Sequence, residues 1–181
     1  MNKRRTPPSS TVMALSVLPA AVRRGARYYA PDPIPTMLTE LASAPLLGLV
    51  IDVDALEHSA LARVDRVMLL AFGELGRSGI RLVLAARHET ERARSIQRSL
   101  TIVPLLADAA ATTLVTTRAH LPGARLLVMS DSPTMLAGLT GADRALVLGR
   151  PELSSPTVFP IGDSSVRAAL WFLSHARAKA A

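Results

Sequence analysis

The stretch 45–54, PLLGLVIDVD, constrains the fold of this chain more than any other. It is apolar without alternation and closes on two carboxylates, the pattern of a strand buried on both faces of a parallel sheet. Such a strand needs helices above and below it, and the rest of the chain supplies them. Residues 59–77 set Leu61, Val64, Val67, Met68 and Phe72 at helical spacing, and Gly76 and Gly79 end that helix. IRLVLAAR (80–87) predicts a second strand, and 88–100 a charged, exposed helix with Thr90 or His88 near its start. TIVPLLAD (101–108) predicts a shorter third strand, which Pro104 pushes towards a sheet edge, and 107–117 a short helix. ARLLVMSD (124–131) predicts a fourth buried strand that also ends in an acid. A short helix entered at Ser132-Pro133 follows, then a fifth strand at 144–149. The last helix runs from Val166 to about Lys179, capped by Asp163 or Ser164.

This alternation predicts an α/β domain: a doubly wound, Rossmann-like parallel sheet of about five strands with right-handed crossovers and helices on both faces. Ligands of such sheets lie beyond the carboxyl ends of the strands, at the switch point of the strand order. The two acid-ended strands deliver Asp52, Asp54 and Asp131 to that edge.

Composition limits the alternatives. A chain of 181 residues that is 49% hydrophobic has the apolar surface for a core, unlike a disordered chain. At 3% aromatic it lacks the stacking residues of a single-strand nucleic-acid platform. The net charge of +7 is local: Lys3, Arg4, Arg5, Arg23, Arg24 and Arg27 stand in residues 1–31 without an acid, which leaves the remainder nearly neutral. We therefore read residues 1–36, with six prolines, as a basic leader and linker, and 37–181 as the domain. Arg23 to Tyr29 has room for a helical turn. The basic arm could touch an anionic surface, and no specific nucleic-acid contact is indicated. Segment 12–22 faintly resembles the apolar part of a signal peptide, but Pro19 interrupts it and Arg23-Arg24 follow. No run reaches the roughly 20 apolar residues of a membrane span, so a cytoplasmic protein is expected. The absence of cysteine removes disulfides and thiolate chemistry.

Taken singly, each acid can be a helix cap, Asp131 for the helix after it and Asp54 for the helix after the first strand. The pair Asp52 and Asp54 argues for more, because two carboxylates so close at a buried strand end repel unless a cation or a shared proton intervenes. With Asp131 nearby, three hard oxygen donors suit Mg²⁺.

In this order and on these strands, the motifs resemble the haloacid dehalogenase-like superfamily over about residues 46–178, most closely its sugar-phosphatase branch, which includes trehalose-phosphate phosphatases. LVIDVD (49–54) resembles the first motif, GIRLVLAAR (79–87) the second-motif strand, and LLVMSDSPTMLAGLTGADRALVLG (126–149) the fourth motif and the strand beyond it. Val158 to Asp163 and the closing helix are similar to the end of that branch. The resemblance implies a Mg²⁺-dependent phosphomonoesterase for a small phosphorylated metabolite. Asp52 would be the nucleophile that forms an aspartyl-phosphate, and Asp54 the acid and then the base. Asp52 and Asp131 would bind the metal with the main-chain carbonyl of Asp54. The logic is that a cation shields the approach of carboxylate to phosphoryl.

The departures are specific. Ala55-Leu56 replaces the usual Gly-Thr, Ala85 the phosphate-binding Ser or Thr, and Met135 the second acid of the fourth motif. No lysine occurs between residues 4 and 178. Arg87 and Arg118 are the candidates for substrate contacts, with Arg125 a further source of charge, although arginine does not reproduce the compact geometry of lysine. No large cap domain fits between Arg87 and Ala124. Each lost stabiliser costs a hydrolase roughly a hundred- to thousand-fold in rate. A catalytically impaired relative that binds a phospho-ligand or a protein is therefore the alternative function. A response-regulator-like domain would want a lysine after a later strand, and none is present. Gly73, Gly76 and Gly79 follow a helix and do not open one, so they are not a phosphate loop. His58, His88, His120 and His175 lack metal-ligand spacing, and Ser130, Ser132 and Ser154 have no paired base in view. Trp171 and Phe172 are read as packing for the last helix.

Overall fold

The computed structural model describes residues 33–58, 66–88, 90–100, 104–107, 109–148 and 150–180. The expected turn at Arg23–Tyr29, the first part of the 59–77 helix, and the side chains of Asp163 and Ser164 lie outside the described residues. The compact unit begins at Pro33, ahead of the boundary expected at Met37. Residues 33–36, expected to be linker, instead open helix α1 (Pro33–Ala42). Proline fits there because the first helical turn leaves its N–H positions unpaired in any case.

Strand β1 (Leu47–Asp52) is buried along its whole length, as its unbroken apolar run requires. Helix α2 (Val53–His58) follows it directly, and α3 (Arg66–Arg77) leads to β2 (Arg81–Ala86). The turn between them closes on Gly79 at φ +85°, with Ile80 N donating to Leu75 O at 3.1 Å and Gly79 N to Gly76 O at 3.1 Å. This paired C-cap needs a left-handed residue, which is why glycine stands there. Thr90 caps α4 (Glu91–Leu100) by accepting from Ala93 N at 3.1 Å, which settles the Thr90 or His88 choice. Strand β3 (Leu105–Ala107), helix α5 (Ala110–His120), strand β4 (Arg125–Met129), helix α6 (Pro133–Ala137) and strand β5 (Arg144–Leu148) follow in turn. Strand β6 (Val158–Ile161) and the long helix α7 (Asp163–Ala180) complete the unit.

The sheet is parallel throughout, in the order β3-β2-β1-β4-β5-β6. It has six strands where about five were expected. The extra one, β6, contains Pro160, which an edge strand tolerates because one row of its N–H groups needs no partner. β3 occupies the opposite edge, as Pro104 suggested.

Alternate residues of the central strands feed two separate cores. Leu47, Leu49 and Ile51 join Leu127, Met129 and Leu146 under α1, α3, α4 and α7, around fully buried Phe72. Val50, Ala85, Val128, Ala145 and Val147 pack on the other face with Leu114 of α5 and Met135 of α6. Each large side chain removed from water in this way contributes about 1.5–3 kcal/mol. The strand order reverses between β1 and β4, so the carboxyl edge there is where this topology opens a crevice. No helix among the described residues is long and apolar enough to cross a membrane.

Candidate functional site

Asp52 ends β1 and is buried, with only 5% of its surface exposed. Its Oδ1 accepts from the amides of Asp54 at 3.1 Å and Ala55 at 3.3 Å, so Asp52, and not Asp54, caps α2. Its Oδ2 accepts from the hydroxyl of Ser130 at 2.6 Å across the switch point. Ser130 is fully buried, and its Oγ in turn accepts from Ser132 N at 3.0 Å. Burial pushes the Asp52 carboxyl above the ordinary carboxylate range. The bonds from Ser130 and the Ala55 amide pull it down, and the nearby charges of Asp54 and Asp131 push it up.

Asp54 lies in the first turn of α2, half-buried, and reaches across to β2. Its Oδ2 accepts from Arg87 N at 2.8 Å and lies 3.7 Å from Arg87 Nε. Asp131, beyond β4, is not the cap of α6: Ser132 fills that role, accepting from Met135 N at 3.4 Å with Pro133 at the first helical position. Asp131 Oδ2 instead lies 3.6 Å from Arg150 Nη2.

Beside Asp52 and Asp54 the structure leaves a space of about 10 Å³, lined also by Ala85, Arg87, Thr113 and Met135 among others. That is room for roughly one water molecule. Two of the family departures form its walls. Ala85 is the register partner of Asp52, so a hydroxyl at this position would stand beside that carboxylate. Met135 is buried and puts a thioether where an acid was the family pattern. Larger clefts lie elsewhere, two of them without an acid in their walls. One, of about 810 Å³ at the amino edge, is lined by Leu46, Arg77, Arg81 and Leu121, and one of about 450 Å³ lies between α1 and α7. Neither holds an acid or another perturbed group, and neither lies at the switch point.

The predicted residues part company here. Asp52, Asp54, Asp131 and Arg87 come to one edge of the sheet. Arg118 does not, and its expected role in substrate binding is corrected. It ends α5, which runs back from the carboxyl edge, so it lies at the amino end. There it donates to Asp143 Oδ2 at 2.5 Å and to Gly138 O at 3.1 Å. Arg125, at the start of β4, pairs with Glu40 at 2.8 Å. The expected metal trio is not assembled either: among the described residues no three His, Asp or Glu side chains converge as a metal site. Asp54 and Asp131 face arginines instead, and both oxygens of Asp52 are occupied by protein donors. As they stand, these residues do not fit Mg²⁺. Ser130, the closest partner of Asp52, was missed because nothing local in the sequence pairs it with a residue of another strand.

No family model and no curated protein matches the chain. Solved structures similar to it include two proteins. One is a hypothetical protein from Xanthomonas campestris, with 15% identity and a TM-score of 0.57 over 84% of this chain and 91% of that one. The other is the 3-deoxy-D-manno-octulosonate 8-phosphate phosphatase of Moraxella catarrhalis, solved in complex with a magnesium ion, a phosphate ion and KDO. It shares 15% identity at a TM-score of 0.57 over 82% of this chain and 94% of that one. The likeness is one of fold: this chain shares the parallel α/β architecture of that phosphatase.

Proposed function

We propose that this protein is a phosphomonoester hydrolase of the haloacid dehalogenase-like kind, acting on a small phosphorylated metabolite through an aspartyl-phosphate on Asp52. By the narrower resemblance the substrate is a sugar phosphate. The observation that carries the reading is the position of Asp52, buried at the end of the central strand beside the switch point, with Asp54 one residue further on and Arg87 at the rim.

In the first half-reaction an oxygen of Asp52 attacks phosphorus while the ester P–O bond breaks, and Asp54 gives a proton to the leaving oxygen. In the second, Asp54 takes a proton from the water that attacks the aspartyl-phosphate, which releases phosphate and restores Asp52. Oδ1, held by two amides at 3.1 and 3.3 Å, is the oxygen more easily freed, since Oδ2 keeps the shorter bond to Ser130. Once Oδ1 turns to phosphorus, the amides of Asp54 and Ala55 become available to phosphoryl oxygens. Mg²⁺ is the cofactor the resemblance implies, and the Moraxella phosphatase was solved with it. The acids of this chain do not gather its donor set, so these steps are assigned to protein groups alone.

A second reading is favoured by the walls of the site. Met135 and Ala85, standing where polar groups would assist the reaction, suit a protein that binds a phospho-ligand or a partner without turnover. The full chain, assayed on a panel of phosphate esters with and without Mg²⁺ beside Asp52→Asn, separates the two. Turnover that the substitution removes supports the hydrolase. Undetectable turnover, with a sugar phosphate still raising Tm, supports the binding module. Neither turnover nor a shift in Tm overturns both.

A further inference from the structure

Two arginines lean onto the switch point from its two flanks. Arg87 follows β2 and reaches Asp54 beyond β1, with Nε 3.7 Å from Oδ2. Arg150 follows β5 and reaches Asp131 beyond β4, with Nη2 3.6 Å from Oδ2. In the order β3-β2-β1-β4-β5-β6 they bracket the two central strands symmetrically. The guanidiniums are 63% and 50% exposed, whereas the carboxylates are 19% and 16% exposed, so each positive group stands outermost. Both carboxylates of an expected metal trio are thus compensated by protein cations, and buried Met135 offers a soft thioether where a hard oxygen donor would be needed.

We propose that Arg87 and Arg150 take the place of the divalent cation at this edge, so that the protein binds an anionic phosphoryl group between two guanidiniums without a metal ion. The inference rests on the reading of the site as phosphoryl-directed. Guanidinium suits the task, because its fork of N–H donors matches phosphate oxygens and its charge persists at any physiological pH. At 3.7 and 3.6 Å the contacts are long and the arginine sides open to solvent, so an incoming phosphate can draw both guanidiniums off their carboxylates.

The test is equilibrium binding of inorganic phosphate to the full chain by calorimetry, in EDTA and again in excess Mg²⁺. The variants are Arg87→Gln and Arg150→Gln, with Arg77→Gln, an exposed arginine remote from the site, as the control. The wild-type chain is expected to bind phosphate in EDTA, with an affinity that Mg²⁺ changes by less than about twofold. Arg87→Gln and Arg150→Gln should each weaken binding about tenfold, the effect of losing one charge-assisted contact, and Arg77→Gln should not. Binding that requires Mg²⁺, or that survives both substitutions, overturns the arginine proposal while the phosphoryl reading stands. No phosphate binding in either condition overturns the two together.

Discussion

Two buried aspartates sit at opposite ends of the sheet, and they are served very differently. Asp143, at the amino end, is 2% exposed, and burial alone would raise its pKa. The hydroxyl and amide of Thr140, the guanidinium of Arg118 and the amide of Leu126 outweigh that and hold it below the ordinary carboxylate range. Asp52, at the carboxyl end, has one hydroxyl, two longer amide bonds, two neighbouring acids and a raised pKa. Asp143 is a structural joint whose charge is fully answered. At Asp52 the hydrogen bonds offset burial and the two neighbouring acids only in part. The contrast is a physical ground for the proposal that the carboxyl end carries the site.

The largest expected effect comes from breaking the joint. Asp143→Ala removes the acceptor for the buried amide of Leu126, which cannot turn to water as the exposed Thr140 and the partly exposed Arg118 can. A loss of about 3 kcal/mol follows, the scale of one buried donor left unpaired together with lost bonds to a charged acceptor. It should appear as a fall in Tm on the order of 10 °C in a circular dichroism melt. A fall of only a degree or two would mean that Asp143 is not the joint described. Ser130→Ala comes next: it strips Asp52 of its shortest bond and leaves the Ser132 amide unpaired, at about 1–3 kcal/mol in urea unfolding.

Asp52→Asn should behave in the opposite sense. An asparagine keeps Oδ1 for the two amides and can donate from Nδ2 to Ser130 Oγ, while the desolvated charge disappears. Its Tm at neutral pH should equal or exceed the wild type by a few degrees, up to about 1 kcal/mol. A clear loss of stability would show that Asp52 too is a joint. The smallest effect is the pH dependence of these differences. Asp52 has a raised folded pKa, so its favourable contribution is full below the unfolded value and is lost as pH rises through the folded one. The advantage of Asp52→Asn should therefore grow from acid towards neutral pH. Asp143 has a lowered folded pKa, so its contribution is full above the unfolded value and is lost as pH falls through the folded one. The deficit of Asp143→Asn should accordingly shrink in acid. Parallel melts across that range check both signs.

Much of this architecture was legible in the chain. Five apolar runs became five of the six strands, because a strand buried on both faces leaves an unmistakable pattern. β6 escaped because it is short and holds Pro160, and the start of α1 escaped because prolines at a helix entry look like linker. The acids of the site were legible as chemistry but not as partners. Asp52 was identified, yet its bond to Ser130 spans two strands distant in sequence. Asp143 went unread altogether, since its burial depends on Arg118 from another helix. The error over Arg118 was avoidable: a helix that crosses between parallel strands runs antiparallel to them, so its last turn lies at the edge opposite the ligand.

The claim that Asp52 is the reactive carboxylate is tested most directly by hydrolysis of a phosphate-ester panel by the wild-type chain and by Asp52→Asn, both confirmed folded by their melts. The account predicts turnover by the wild type that the substitution lowers at least about a hundredfold, the scale expected when a principal catalytic group is lost. Equal turnover in the two proteins, or none in the wild type, would contradict it.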